Sequence, residues 1–355
     1  MHLHALGWNS FFQSHWKPLE GRGLAPARIV EEQKEAYRLV AETGEMPATV
    51  TGRLRHTAIG RSGFPAVGDW VAAQITPSGD KALIYEILPR RTKLSRKAAG
   101  DRAAEQILVT NVDVVFLVTS LHADLNFRRI ERYLSTIWES GAQPVILLNK
   151  ADLCADPAAA ASDVAAMAPG ATVHVLAATR GKGLEELGAY TARGNTVALL
   201  GSSGVGKSTI INCLLGSEAQ STREIRSRDG RGRHATTYRR LFLLAAGGVL
   251  IDTPGMREFQ PWDAASGLEE AFDDIATLAR TCRFRDCRHD TEPGCSVRAA
   301  IADGILDPSR LANFGKLQRE LEFLDRRRDA AAQAEVKKLW KRRHKAMRQH
   351  YRLKG

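Results

Sequence analysis

Residues Gly201 to Ser208 read GSSGVGKS, after the apolar run Thr196 to Leu200 and before the helical pattern Thr209 to Leu215. A glycine-rich turn between a buried strand and a helix is the setting that a phosphate-binding loop requires. Glycines allow backbone N–H groups to turn toward an anion, and the start of the helix adds partial positive charge. Gly201, Ser202, Ser203, Gly204, Val205, Gly206, Lys207, Ser208 and Thr209 are therefore expected to surround a nucleotide's phosphates. Lys207 would reach the outer phosphates and Ser208 would ligate magnesium. An ordinary glycine-rich turn is the bland alternative, and the strand before it and the helix after it count against that.

Around this loop the texture is that of a doubly wound α/β domain. Val112 to Thr119, Pro144 to Leu148 and Val173 to Leu176 read as buried strands, Arg128 to Gly141 and Leu184 to Tyr190 as helices. Leu241 to Leu244 and Val249 to Ile251 read as a strand pair running into Asp252. Before it, Ala27 to Val30, Ala36 to Ala41, Ala48 to Leu54, Trp70 to Ile75 and Ala82 to Leu88 are five short strands with Gly/Pro/Asp punctuation, most simply an OB-fold barrel. After it come a cysteine and histidine cluster, helical segments at Arg298 to Gly304 and Pro308 to Leu324, and a basic tail from Arg327. The expected division is an extension over 1–23, an all-β barrel over 24–97, a central α/β domain over 98–276 and an α-helical metal-binding region over 277–355. The extension carries Trp8, Phe11, Phe12 and Trp16 without a sustained period, so it is expected to pack on, or hang loosely from, the barrel.

Two further motifs specify the nucleotide. Asn149, Lys150 and Asp152, in LLNKADL, follow a buried strand and match the guanine-reading pattern N-K-x-D. A carboxylate there accepts from the ring N1–H and the exocyclic amine of guanine, which adenine cannot offer. Asp252 to Gly255, DTPG, ends another strand; its aspartate would hold magnesium through water and the Gly255 N–H would touch the γ-phosphate. The guanine motif precedes the phosphate loop, the reverse of the ordinary order, so the domain is circularly permuted. A nucleotide kinase shares the phosphate loop but accounts for neither NKAD, DTPG nor the cysteine cluster.

With barrel, NKAD, GSSGVGKS, DTPG and cysteine cluster in this order, residues 25–325 resemble the circularly permuted bacterial GTPases, most closely the ribosome small-subunit-dependent GTPase A family. The resemblance implies GTP hydrolysis to GDP and phosphate, stimulated by the small ribosomal subunit during its late assembly. The implied partners are GTP or GDP and that subunit with its rRNA; no membrane is expected, and the chain would act as a monomer. Met256 stands where many GTPases place a water-orienting glutamine, and the resemblance turns attention to His234, in GRHATT, as the catalytic group. Thr236, with Thr237 as the alternative, would close on magnesium. Ala177 and Ala178 stand where a Ser-Ala pair backs the guanine base. A scaffold that binds RNA and carries a passive GTP/GDP switch is the non-enzymatic alternative.

Cys282, Cys287, His289 and Cys295 are spaced C-x4-C-x-H-x5-C. Three thiolates and an imidazole complete a tetrahedron without an open position, which is structural rather than catalytic zinc, one ion per chain. Cys154 and Cys213 read as core or surface cysteines. The formal charge of +11 favours a polyanionic partner. Arg53, Arg55, His56, Arg61, Arg90, Arg91, Lys93, Arg96 and Lys97 cluster near the barrel's loops and exit, while Ser221 to His234 carries five arginines in a polar stretch expected to be an exposed mobile loop. RNA is the expected counterpart, with a solvated basic face as the alternative. Without a signal-peptide pattern or an apolar run long enough to span a bilayer, a cytosolic protein is expected.

Overall fold

The computed structural model describes residues 2–33, 36–97, 105–122, 125–216, 239–253 and 265–326. The N-terminal stretch is packed rather than loose. Asn9 caps α1 (Ser10–Trp16) by accepting from the Phe11 N–H at 3.0 Å. Leu6, Trp8, Phe12, Trp16 and Leu19 are buried, and Trp8 stands edge-on to Trp70 of the barrel with centroids 4.7 Å apart.

The barrel comprises β1 (Ala25–Gln33), β2 (Ala36–Ala41), β3 (Gly44–Val50), β4 (Trp70–Ile75) and β5 (Ala82–Ile87). Their order is β1-β2-β3-β5-β4, and β4 returns to β1, which closes the OB topology. The expectation of a strand to Leu54 fails past Val50. Thr51 accepts from the Leu54 N–H at 3.2 Å and caps α2 (Gly52–Thr57), so this local cap wins over β propensity. The hairpin of β6 (Lys93–Lys97) and β7 (Glu105–Thr110), absent from the sequence reading, leads into the next unit.

There β8 (Val114–Ser120), β9 (Gln143–Asn149), β10 (Thr172–Val175), β11 (Thr196–Leu200), β12 (Arg240–Leu243) and β13 (Val249–Asp252) run in the order β10-β9-β8-β11-β13-β12. All neighbours are parallel except β12 against β13. Strands β8 and β11 are buried throughout, as a sheet covered on both faces requires. Its helices include α3 (Phe127–Glu139), α4 (Pro157–Met167), which the sequence reading lacked, and α5 (Lys207–Leu215). Leu184 to Tyr190, expected as a helix, is a short 3₁₀ segment at Glu185–Ala189. A single bridge, Glu31 to Arg240, joins β1 to β12, so barrel and nucleotide sheet form one eleven-stranded surface.

Helices α6 (Ala265–Ala271), α7 (Asp273–Ala279), α8 (Ser296–Ala302) and α9 (308–326) follow. Gly267 lets α6 touch α3, since a Cβ there would lie 1.9 Å from the Ser135 carbonyl oxygen. The Gly267 N–H donates to Glu139 Oε2 at 3.0 Å. Arg310 of α9 reaches Glu131 of α3 at 2.5 Å, forks onto Asp274 of α7 at 2.6 and 2.8 Å, and lies over the Phe272 ring. Burial raises the Glu131 pKa, while Arg310 and Asn313 oppose that rise.

Extension, barrel and nucleotide unit meet at Arg28, which is 1% exposed. It donates to the carbonyls of Leu6, Gly68 (3.2 Å) and Asn111 (3.0 Å) and to Thr196 Oγ1 (2.9 Å), with its guanidinium over Trp70. Burial lowers its pKa to about 10, against the fields of Asp113 and Asp69, so it remains charged at neutral pH. Arg28→Met keeps an apolar stem but removes the guanidinium from the buried Leu6 and Asn111 carbonyls, while the Gly68 carbonyl keeps the Asn111 amide. It should lower unfolding free energy by about 3 kcal/mol or more, read from the urea midpoint; an unchanged midpoint would contradict this role.

Candidate nucleotide site and metal cluster

Loops at the carboxyl ends of β9, β10 and β11 converge, which is where open parallel sheets bind ligands. The chain leaves β11 at Gly201, whose φ of +148° and approach to the Val118 carbonyl leave no room for a side chain. Gly204 and Gly206 have φ of +84° and +102°, conformations that turn successive N–H groups to one side. Ser203 and Gly204 are exposed, Val205 and Lys207 buried, Ser202, Ser208 and Thr209 half-buried. Lys207 Nζ donates to the Gly201 and Ser202 carbonyls at 2.7 and 2.6 Å, curling over the loop.

Asn149, the buried last residue of β9, fastens that loop on two sides. Its Nδ2 donates to the Val205 carbonyl at 2.9 Å and its Oδ1 accepts from the Ala178 N–H at 3.1 Å. Lys150, at φ +63°, places Nζ 2.7 Å from the Gly204 carbonyl. A left-handed non-glycine residue is uncommon and marks a position held by its surroundings. Ala177 and Ala178 are buried behind β10. Asp152 faces the same region, with Arg180 Nε 3.3 Å from its Oδ2. The sequence reading missed Arg180, because an arginine two residues after Ala178 belongs to no motif.

Asp252 is buried at the end of β13, in register with Leu199 of β11, and the Thr253 hydroxyl donates to the Leu199 carbonyl. The loop, Asn149, Lys150, Asp152, Ala177, Ala178 and Asp252 thus gather at one sheet edge. His234, Thr236, Thr237, Gly255, Met256, the arginine-rich stretch and the tail from Arg327 lie outside the described residues.

Several of the described basic residues are held by carboxylates. Arg90 is bidentate on Asp69 at 2.7 and 2.8 Å, Arg91 pairs with Asp113, Lys93 lies 2.7 Å from Glu105, and Arg61 faces Glu32 at 3.6 Å. Arg53, Arg55 and His56 of α2 are exposed.

The second cluster can hold a metal. The nearest ligand atoms of Cys282, Cys287, His289 and Cys295 all lie within 4.8 Å of one another. Cys282 Sγ is 3.9 Å from Cys295 Sγ, and His289 Nδ1 lies 3.7 Å from the former and 3.4 Å from the latter. Tetrahedral zinc with ordinary bond lengths sets sulfur–sulfur edges of about 3.8 Å and sulfur–nitrogen edges of about 3.5 Å, so the residues fit that ion. Burial and the neighbouring thiols push the Cys287 pKa up to about 11, against the His289 backbone N–H directed at its sulfur, whereas the Val297 and Ser296 backbone N–H groups lower that of Cys282 despite its burial. Cys154 is half-buried and Cys213 exposed, as read from the sequence.

Gly206→Ala would put a Cβ 2.2 Å from Asn149 Nδ2 at a φ that disfavours any side chain. GDP affinity should fall roughly 100-fold, about 2.8 kcal/mol, in a fluorescent-nucleotide titration. Wild-type affinity in that variant would separate the loop from nucleotide binding.

Residues 87–262 match the family model described as RsgA GTPase. A protein of Opitutus terrae named small ribosomal subunit biogenesis GTPase RsgA is 46% identical over 367 residues, covering 100% of this chain and 99% of that protein. One of the same name from Methanosarcina acetivorans is 44% identical, covering 96% and 90%. Among solved structures, YjeQ from Thermotoga maritima has a TM-score of 0.62 at 25% identity, covering 84% of this chain and 98% of that one. YloQ, titled a circularly permuted GTPase, has a TM-score of 0.59 at 22% identity, covering 85% and 96%. On full-length identity, with the permuted motif order in one sheet, the chain belongs to the RsgA GTPase family.

Proposed function

We propose that this chain hydrolyses GTP to GDP and phosphate while bound to the small ribosomal subunit, and that the subunit stimulates turnover late in its own maturation. One observation carries the guanine-nucleotide part: Asn149 bonds both the phosphate loop at Val205 and the base-backing loop at Ala178. The ends of a nucleotide are thereby held at a fixed separation before it arrives. The ribosomal part rests on the names of the full-length relatives.

In this reading Asp152 accepts from guanine N1–H and the exocyclic amine, and Ala177 and Ala178 back the base. N–H groups from Ser202 to Thr209 and Lys207 Nζ hold the phosphates. Ser208, Thr236 and Asp252 would hold magnesium, whose charge neutralises the phosphate oxygens when bound. Gly255 reads the γ-phosphate through its N–H. Methionine at 256 cannot orient water, so His234 takes that role on the subunit. Cys282, Cys287, His289 and Cys295 hold one structural zinc. Arg53, Arg55 and His56, which stand exposed on α2, meet rRNA together with the tail beyond Arg326. No helix among the described residues is long and apolar enough to cross a membrane. We assign the chain to the cytoplasm as a monomer, with units divided near residues 24, 98 and 277.

The deciding measurement is phosphate release with and without isolated small subunits. Wild type should accelerate on adding subunits, and His234→Ala should lose roughly 100-fold or more of the stimulated rate with GDP binding intact. No acceleration of wild type would favour the passive RNA-binding scaffold; full stimulation of the variant would remove His234 from the chemistry.

A further inference from the structure

His289 is the one metal-cluster residue held in the left-handed region, at φ +61°, among just three such non-glycine positions in the described chain. Its neighbours explain how it stays there. The backbone N–H groups of Arg288, Asp290 and Thr291 converge on the Glu292 carboxylate at 3.0, 2.9 and 3.0 Å. Arg288 takes Oε1 and the other two share Oε2, so the carboxylate grips the backbone on both sides of His289. The Glu292 carboxyl sits at about 2 under these backbone hydrogen bonds and is anionic throughout the neutral range. Beyond it Gly294, at φ +75°, accepts at its carbonyl from the Arg283 N–H at 3.1 Å, which closes the knuckle onto the segment between Cys282 and Cys287.

Glu292 itself is outside the group of four ligands. We propose that Glu292 is a positioning residue for the zinc site: it locks the 288–291 backbone so that His289 Nδ1 faces the three sulfurs before the ion arrives. The inference rests on the zinc reading above and adds to it a residue that never touches the metal. An amide cannot substitute, since both oxygens accept and a glutamine would turn its NH₂ toward a backbone N–H. Outer groups that orient a ligand typically tune metal affinity about 10- to 100-fold.

The test uses the full chain, as wild type, Glu292→Gln, His289→Ala and the double variant, each stripped of metal. Zinc affinity is read by competition with a chromophoric chelator, and ligand geometry by the absorption of bound Co²⁺. Wild type should take one equivalent and give the intense ligand-field bands of a tetrahedral sulfur–nitrogen site. Glu292→Gln should bind zinc roughly 10- to 100-fold more weakly, with ligand-field bands altered and thiolate charge transfer retained. In the His289→Ala background the same change should cost almost nothing, because the ligand it orients is gone. GDP affinity should stay at the wild-type value in Glu292→Gln. Equal losses with and without His289 would overturn the proposal in favour of a general structural role. A Glu292→Gln protein with wild-type affinity and spectrum would overturn it while leaving the zinc reading standing. A wild-type chain that takes up no metal would bring down both.

Discussion

A buried guanidinium holds three parts of this chain together. Arg28 touches no carboxylate; it is satisfied by carbonyls from the extension, the barrel and the strand connection, and by a threonine at the start of β11. Ionised groups seldom enter a protein interior on such terms, because desolvation is costly unless every donor is met. Here the acceptors come from segments distant in sequence, so the arginine is comfortable only when all of them are in place. Asp113 extends the arrangement by accepting from the Thr196 N–H at 2.7 Å while pairing with Arg91. The strand that delivers the phosphate loop is thus anchored at its base by groups from the barrel side.

At the other flank, α3 plays the corresponding part. It presents Glu131 to Arg310 and Asn313, Arg132 to Glu320 at 3.0 Å, and the Ser135 carbonyl to the close approach of Gly267. The metal-binding region therefore does not hang from a linker. It is seated on a helix of the nucleotide unit through charge pairs and a close backbone approach, with the aromatic pair Phe272 and Phe314 beneath them.

What the sequence disclosed follows the same physics. Phosphate and guanine chemistry demand particular residues at particular spacings, so GSSGVGKS, NKAD and the cysteine cluster were readable, and the structure brings the first two into hydrogen-bonded contact. Buried parallel strands were readable as apolar runs. Tertiary context hid the rest. The Thr51 cap is local but competes with the β propensity of the run before it, and the alanine-rich stretch 157–167 shows no apolar period that would place it as a helix of the α/β layer. The aromatic residues of the extension advertised burial without a period, because they pack singly onto Trp70 and its neighbours rather than along one face. Basic residues looked alike in sequence, yet Arg28 and Arg90 are structural and Arg53 is exposed; only their acceptors distinguish them.

The bridge between Glu31 and Arg240 gives the barrel a particular mechanical standing. Independent domains joined by a tether can tumble without exchanging torque. A sheet that runs unbroken from one into the other transmits twist, because its backbone hydrogen bonds resist shear along the whole width. Arg240, which makes the bridge, is the first residue of β12, and Arg239 beside it donates from Nη1 to the Ile107 carbonyl at 3.2 Å. The seam couples β12 to the first barrel strand through one backbone pairing, so the two strands share a common orientation.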